Sequence, residues 1–154
     1  MPERMVIDAS VWVSHLRPQD VHHDASHTWL ERYTATGNLL IASSFLSLEV
    51  AAAISRGTGD SSLGSEAVKA LQDFPAMYFI SLDAALMQNA IDVATNLQLR
   101  AGDAIYVALA HALSLPLISW DKEQLQKAST LITTYTQENY VFPDTDESSD
   151  EEAT

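Results

Sequence analysis

Four carboxylates occupy settings where an acid is either costly or useful. Asp8 directly follows the apolar run Met5-Val6-Ile7, and Asp121 follows Leu117-Ile118-Ser119-Trp120. Asp103 lies near the start of an otherwise apolar stretch, LRAGDAIYVALAHA, over residues 99–112. Glu49, within FLSLEVAAAI, is the only charged residue between Gly37 and Arg56. Each aspartate has an ordinary explanation as a helix cap or as a partner for a helix dipole. Glu49 does not, because a carboxylate among apolar neighbours is costly unless it is paired or metal-bound. The chain has no cysteine, and histidine does not recur among these acids, so a site built from them offers oxygen alone. An all-oxygen set suits Mg²⁺ or Mn²⁺ rather than zinc. Cations held by few carboxylates and several waters commonly meet substrate phosphates. The chemistry that follows is phosphodiester hydrolysis assisted by one or two metal ions.

Those acids need a scaffold that brings them together, and the sequence alternates strand-like and helix-like segments. Strands are expected at 5–8, 38–42, 77–82 and 116–120, with a weak last strand at 130–135. Helices are expected at 10–16, 20–37, 43–57, 63–74, 83–97, 99–112 and 121–129. Ser43 or Ser44 reads as the cap of the third helix, Gly57 as its terminator, and Asp83 as the cap of the fifth. TGDSS at 58–62 reads as a loop. This alternation predicts an α/β fold, a three-layer α/β/α arrangement with a mainly parallel central sheet of four to five strands. In such sheets the ligand site lies beyond the carboxyl ends of the strands. Asp8 and Asp121 therefore converge on one edge, where helix amino ends bring Asp103 and Glu49 to the same place.

Composition bounds the rest. The 154 residues suffice for one domain with a real core. No run of 18 or more residues is apolar, so no membrane span is expected. The first ten residues, MPERMVIDAS, lack the basic-then-apolar pattern of a secretory signal, and a cytoplasmic location is the expectation. The formal net charge is −13, and residues 144–154 hold six of the 21 acids and no base, which leaves −7 for the remainder. Residues 1–143 are read as the domain and 144–154 as a solvated, unstructured acidic tail. An acidic body argues against sequence-blind nucleic-acid binding, which needs clustered Lys and Arg, so any nucleic acid must be held locally. His23 and His27 are spaced i, i+4, but no HExxH pattern or third ligand accompanies them, and they read as surface histidines. Trp12, Trp29 and Tyr106 could stack on bases, but core roles are the expected use of such large aromatics.

At the four acids the chain resembles the PIN domain, the fold of many small metal-dependent ribonucleases. VIDASVWV resembles the family's first-strand motif, with Asp8 as its first acid and Ser10 as the hydroxyl two residues on. SSFLSLEVAAAI resembles the helix that carries the family's glutamate, here Glu49, and LRAGDAIYVALAHA the segment with the third acid, Asp103. PLISWD resembles the strand followed by hydroxyl-x-Asp, giving Ser119, where the family often has Thr, and Asp121. The four motifs occur in order across roughly residues 5–133. The compact length, and HHDASHTWLERY after the first motif, look most like the VapC-type toxins of bacterial toxin–antitoxin pairs.

That resemblance implies a Mg²⁺- or Mn²⁺-dependent endoribonuclease, with Asp8, Glu49, Asp103 and Asp121 holding the metal directly or through waters. Ser10 and Ser119 would orient a carboxylate or a water from behind. Arg56, Arg100, Lys122 and Lys127 are candidates for holding phosphates. In-line attack by water would leave a 5′-phosphate and a 3′-hydroxyl. The implied partners are an RNA substrate, a protein antitoxin and a second copy of the chain. Two other readings compete: a catalytically silent PIN-like interaction module, and a phosphatase or phosphotransferase. Four retained, mutually repelling acids argue against the first. The second calls for Asp-x-Asp after the first strand, where this chain has DAS.

Overall fold

The computed structural model describes residues 2–143, so the acidic segment 144–154 and its expected lack of structure lie outside the described residues. Five strands form one sheet: β1 (Arg4–Ile7), β2 (Leu39–Ser43), β3 (Met77–Ile80), β4 (Leu117–Ile118) and β5 (Thr134–Tyr135). All pairings are parallel and the spatial order is β3-β2-β1-β4-β5. The chain builds outward from β1 through β2 to β3, then crosses back to lay β4 on the other side of β1. The order therefore reverses between β1 and β4, where Val6 pairs with Leu117 and Ile7 with Ile118. A crevice for ligands opens at such a reversal, beyond the carboxyl ends of the two strands. Val6, Ile7, Leu117 and Ile118 have no exposed surface, as expected for strands covered on both faces.

Seven helices complete the domain among the described residues: α1 (Ala9–Leu16), α2 (His23–Ala35), α3 (Phe45–Thr58), α4 (Ser61–Gln72), α5 (Ala84–Leu97), α6 (Ala101–Leu113) and α7 (Lys122–Ala128). Helix α6 explains the apolar run around Asp103. It lies against β1, β2 and β4 and is covered by α5, so Ala104 through Ala110 are all buried. A helix enclosed on every side has no polar face to display. In a second group α1 packs against both α2 and α3, and α3 packs against α4. No helix among the described residues is long and apolar enough to cross a membrane.

Two local expectations are corrected. Gly57 does not end α3, which runs to Thr58 and stops at Gly59 with φ +70°. TGDSS is not a five-residue loop, because Asp60 caps α4 by accepting from the backbone N–H groups of Ser62 and Leu63, and Ser61 is already helical. At the start of α3 the two serines divide the work. Ser44 holds the cap position without a capping bond of its own, while Ser43 Oγ accepts from Phe45 N at 3.1 Å.

Candidate active site

The site begins at the β1–β4 reversal. Asp8 caps α1 by accepting from Ser10 N at 3.1 Å, and the same oxygen accepts from Ser10 Oγ at 2.6 Å. Its other oxygen accepts from Ser119 Oγ at 2.5 Å, a bond spanning 111 residues of sequence. Ser119 is fully buried and its hydroxyl also accepts from Asp121 N at 3.0 Å. Ser10 and Ser119 thus hold the Asp8 carboxylate from both sides. Asp121 caps α7 through Gln124 N at 3.1 Å. Asp8 and Asp121 are therefore both helix caps, one beyond each of the neighbouring strands β1 and β4. Asp103 caps nothing: Arg100 holds that position, and Asp103 lies in the first turn of α6.

Electrostatics shows how the four acids relate. Burial pushes the Asp8 carboxyl up to about 6 against the pull of its serine hydrogen bonds, and the charge of Asp103 adds to the rise. Burial, then the charges of Asp8 and Asp103, push Glu49 up to about 7. Asp103 is raised by its own burial and then by Asp121, with Arg100 acting in opposition. Asp8, Glu49 and Asp103 thus form one repelling group, joined to Asp121 through Asp103. Beside Glu49 lies the buried Tyr106 hydroxyl, which has no hydrogen bond of good geometry.

A small hollow of about 20 Å³ lies between α6 and α7, lined by Leu99, Arg100, Asp103, Asp121, Glu123, Gln124 and Lys127. That volume admits one water or small ion and no nucleotide. Among the described residues no three His, Cys, Asp or Glu side chains already converge as an ion site. Mg²⁺ does not require that. It keeps several waters and takes one or two protein carboxylates alongside substrate phosphates. An all-carboxylate set in which the charge of Asp103 bears on both Asp8 and Glu49 fits a hard divalent cation.

The four phosphate candidates separate. Arg100 and Lys127 line the acidic hollow, with Lys127 bonded to Gln98 O and Glu123. Lys122 lines a different hollow with Thr134 and Thr136. Arg56 is exposed in the last turn of α3, about two turns beyond Glu49. His23 and His27 are half-buried between α1 and α2, where His27 Nδ1 lies 3.3 Å from His15 Nδ1 and His23 Nδ1 lies 3.0 Å from Ser14 O. Trp12, Trp29 and Tyr106 are core residues.

Three contributors escaped the sequence reading. Buried Gln124 reaches from α7 to Asp103 O at 3.4 Å, and its Oε1 lies 3.2 Å from Ser119 Oγ. Gly102 lets α6 approach α3, since a Cβ there would lie 2.6 Å from Glu49 Oε1 and 3.2 Å from the Phe45 ring. Its signal was available: a glycine inside a helix costs about 1 kcal/mol relative to alanine. Trp120, between Ser119 and Asp121, is the third.

Carboxylates at the switch point of a parallel sheet define an α/β protein with an acidic edge beyond β1 and β4. The PIN domain pattern matches residues 5–129, and the chain belongs to that family. No curated protein sequence matches it. Solved structures with the same fold include Mycobacterium tuberculosis VapC20, described as a Sarcin-Ricin loop cleaving toxin, at 16% identity and TM-score 0.67 over 83% of this chain and 96% of that one. VapBC2 from Rickettsia felis, bound to a DNA fragment from its promoter, aligns at 12% identity and TM-score 0.66 over 86% and 98%. FitAcB from Neisseria gonorrhoeae aligns at 16% identity and TM-score 0.64 over 88% and 99%.

Proposed function

We propose that this chain is a Mg²⁺- or Mn²⁺-dependent endoribonuclease, the toxin of a toxin–antitoxin pair. The observation that carries the reading is the placing of Asp8 and Glu49, both raised by burial and by the charge of Asp103, beyond the β1–β4 reversal, where Asp8 is held by Ser10 and Ser119. A fold does not keep repelling acids at a ligand crevice for its own stability. Asp8, Glu49, Asp103 and Asp121 would hold the cation, directly or through waters. When bound, it supplies charge stabilisation to the phosphoryl group under attack. Ser10 and Ser119 fix the rotamer of Asp8, Gln124 ties α7 to α6 behind it, and Arg100 and Lys127 steady an adjacent phosphate.

Support for the biological role comes from the neighbours, which include a toxin that cleaves the sarcin-ricin loop and a VapBC assembly. On that analogy the chain forms a homodimer and is silenced by an antitoxin protein. The purified protein is expected to cleave single-stranded RNA with Mg²⁺ or Mn²⁺, leaving 5′-phosphates, and to be inactive in EDTA. Asp8→Asn should lower the rate at least 100-fold while the protein stays folded. Full activity in excess EDTA would overturn the metal mechanism.

A further inference from the structure

The acidic body leaves a problem, because few cations line the cleft to hold a polyanion. Trp120 offers a different kind of grip. Its backbone N–H donates to Ser10 Oγ at 3.0 Å, and Ser10 in turn bonds Asp8. Its indole Nε1–H donates to Ser26 Oγ at 2.7 Å, and Ser26 is fixed by Ser14 Oγ at 2.6 Å. Ser14 and Ser26 are buried, so Trp120 is held once at its backbone and once at its indole. Trp12 and Trp29 are 1% and 3% exposed and belong to the core, whereas Trp120 is only partly covered. The His22 ring lies flat on it, with centroids 3.9 Å apart and planes 9° from parallel. His22 is itself half-exposed; its backbone N–H is tied to Asp20 Oδ1 at 2.8 Å. Its imidazole makes no hydrogen bond among the described residues, so stacking is its only engagement there.

We propose that the His22–Trp120 pair is a nucleobase-stacking platform, which takes the base of a nucleotide flanking the scissile phosphate on the outer face of His22. The inference rests on the nuclease reading and names how that site grips RNA. The platform lies on the α1–α2 side of the acids, and Arg100 with Lys127 on the α6–α7 side, so the strand crosses the acids between a base grip and a phosphate grip. Stacking suits this chain because every base has a π-face and the contact needs no positive charge.

The test uses the full chain in an Asp8→Asn background, which holds RNA uncleaved, and a short single-stranded RNA. Binding should change tryptophan emission, and Trp120→Phe should abolish that change while keeping affinity within a few-fold. His22→Ala should weaken binding roughly 5- to 100-fold with an unchanged salt slope, because no phosphate contact is lost. His22→Phe should restore binding, since the imidazole nitrogens bond nothing. An RNA made abasic beside the cleaved bond should bind the parent as weakly as intact RNA binds His22→Ala, a comparison that needs no variant fold. If His22→Ala and the abasic RNA both bind like their parents while the wild type cleaves RNA with Mg²⁺ or Mn²⁺, the platform is overturned and the nuclease stands. If the wild type cleaves no RNA and the Asp8→Asn chain binds none, both fall.

Discussion

A site acid is useful only if its neighbours leave room for it, and Gly102 shows this at the scale of a single atom. A methyl group at Gly102 would meet the Glu49 carboxylate at 2.6 Å. The nearest atom is the tip of a flexible side chain, so the fold should accommodate Gly102→Ala by moving Glu49. Helix propensity then favours alanine by up to about 1 kcal/mol, and the Phe45 contact offsets part of that. The expected outcome is a melting temperature within a few degrees of wild type and cleavage at least tenfold slower. Parallel thermal melts and rate measurements decide it, and unchanged cleavage would mean that the Glu49 position does not matter. The four acids themselves were legible, because a charge in an apolar segment stands out in one dimension. Gln124 and Trp120 were not, because each acts through a partner on another element, Ser119 and Ser26, and Gly102 stood out only as a glycine in a helix, with nothing to name Glu49 as its neighbour. Sequence spacing carries no record of such pairs.

Among the elements, every strand and helix is of the expected kind, but bounds differ: β5, expected over 130–135, is only Thr134–Tyr135, α2, expected over 20–37, is His23–Ala35, and the junction of α3 with α4 lies elsewhere. Glycine is the usual residue beyond a helix, which makes Gly57 the expected end of α3. Two glycines compete there, and only tertiary context chooses between them. Gly59 takes the left-handed conformation, with φ +70°, and its N–H closes the helix on Ser55 O at 2.8 Å. Gly57 remains helical beneath Arg17, whose guanidinium would lie 2.8 Å from an added Cβ. The two positions should therefore respond differently to the same substitution. Gly59→Ala forces an L-residue into the left-handed region and should cost about 1–2 kcal/mol. Gly57→Ala gains helix propensity, and its only close contact is a flexible arginine tip, so its effect should stay within about 1 kcal/mol of zero. Denaturant unfolding of both variants measures this, and equal losses at both positions would contradict the assignment of the helix end.

For the whole molecule, the sequence implied a parallel sheet, and family resemblance implied which acids meet. The strand order that makes β1 and β4 neighbours was not readable, because short apolar runs such as Leu117-Ile118 carry no mark of the strand beside them. That order concentrates repelling carboxylates at one edge, so the stability of the metal-free protein should depend on pH in an unusual sense. Burial and neighbouring charge push Asp8 up to about 6 and Glu49 up to about 7, above their ordinary 3.8 and 4.5. Between those limits the folded chain keeps protons that the unfolded chain has released. Their contribution is fully present below about pH 4 and is lost as pH rises toward 7. For fully buried Asp8 it amounts to about 3 kcal/mol, and for half-buried Glu49 to less, because solvent screens it. Asp103 is the neighbour whose charge raises both. Asp103→Asn forgoes a helix-dipole interaction of about 0.3–1 kcal/mol but relieves repulsion on two buried acids. In EDTA at pH 7 the variant should melt higher than wild type, and its melting temperature should fall less between pH 5 and 7.5. Added Mg²⁺ or Mn²⁺ should stabilise wild type more than the variant, since a ligand stabilises only the form that binds it. Melting curves for both proteins across that range, with and without metal, provide the measurement. A variant that melts lower in EDTA and gains as much from metal as wild type would make Asp103 a dipole partner of α6 and nothing more.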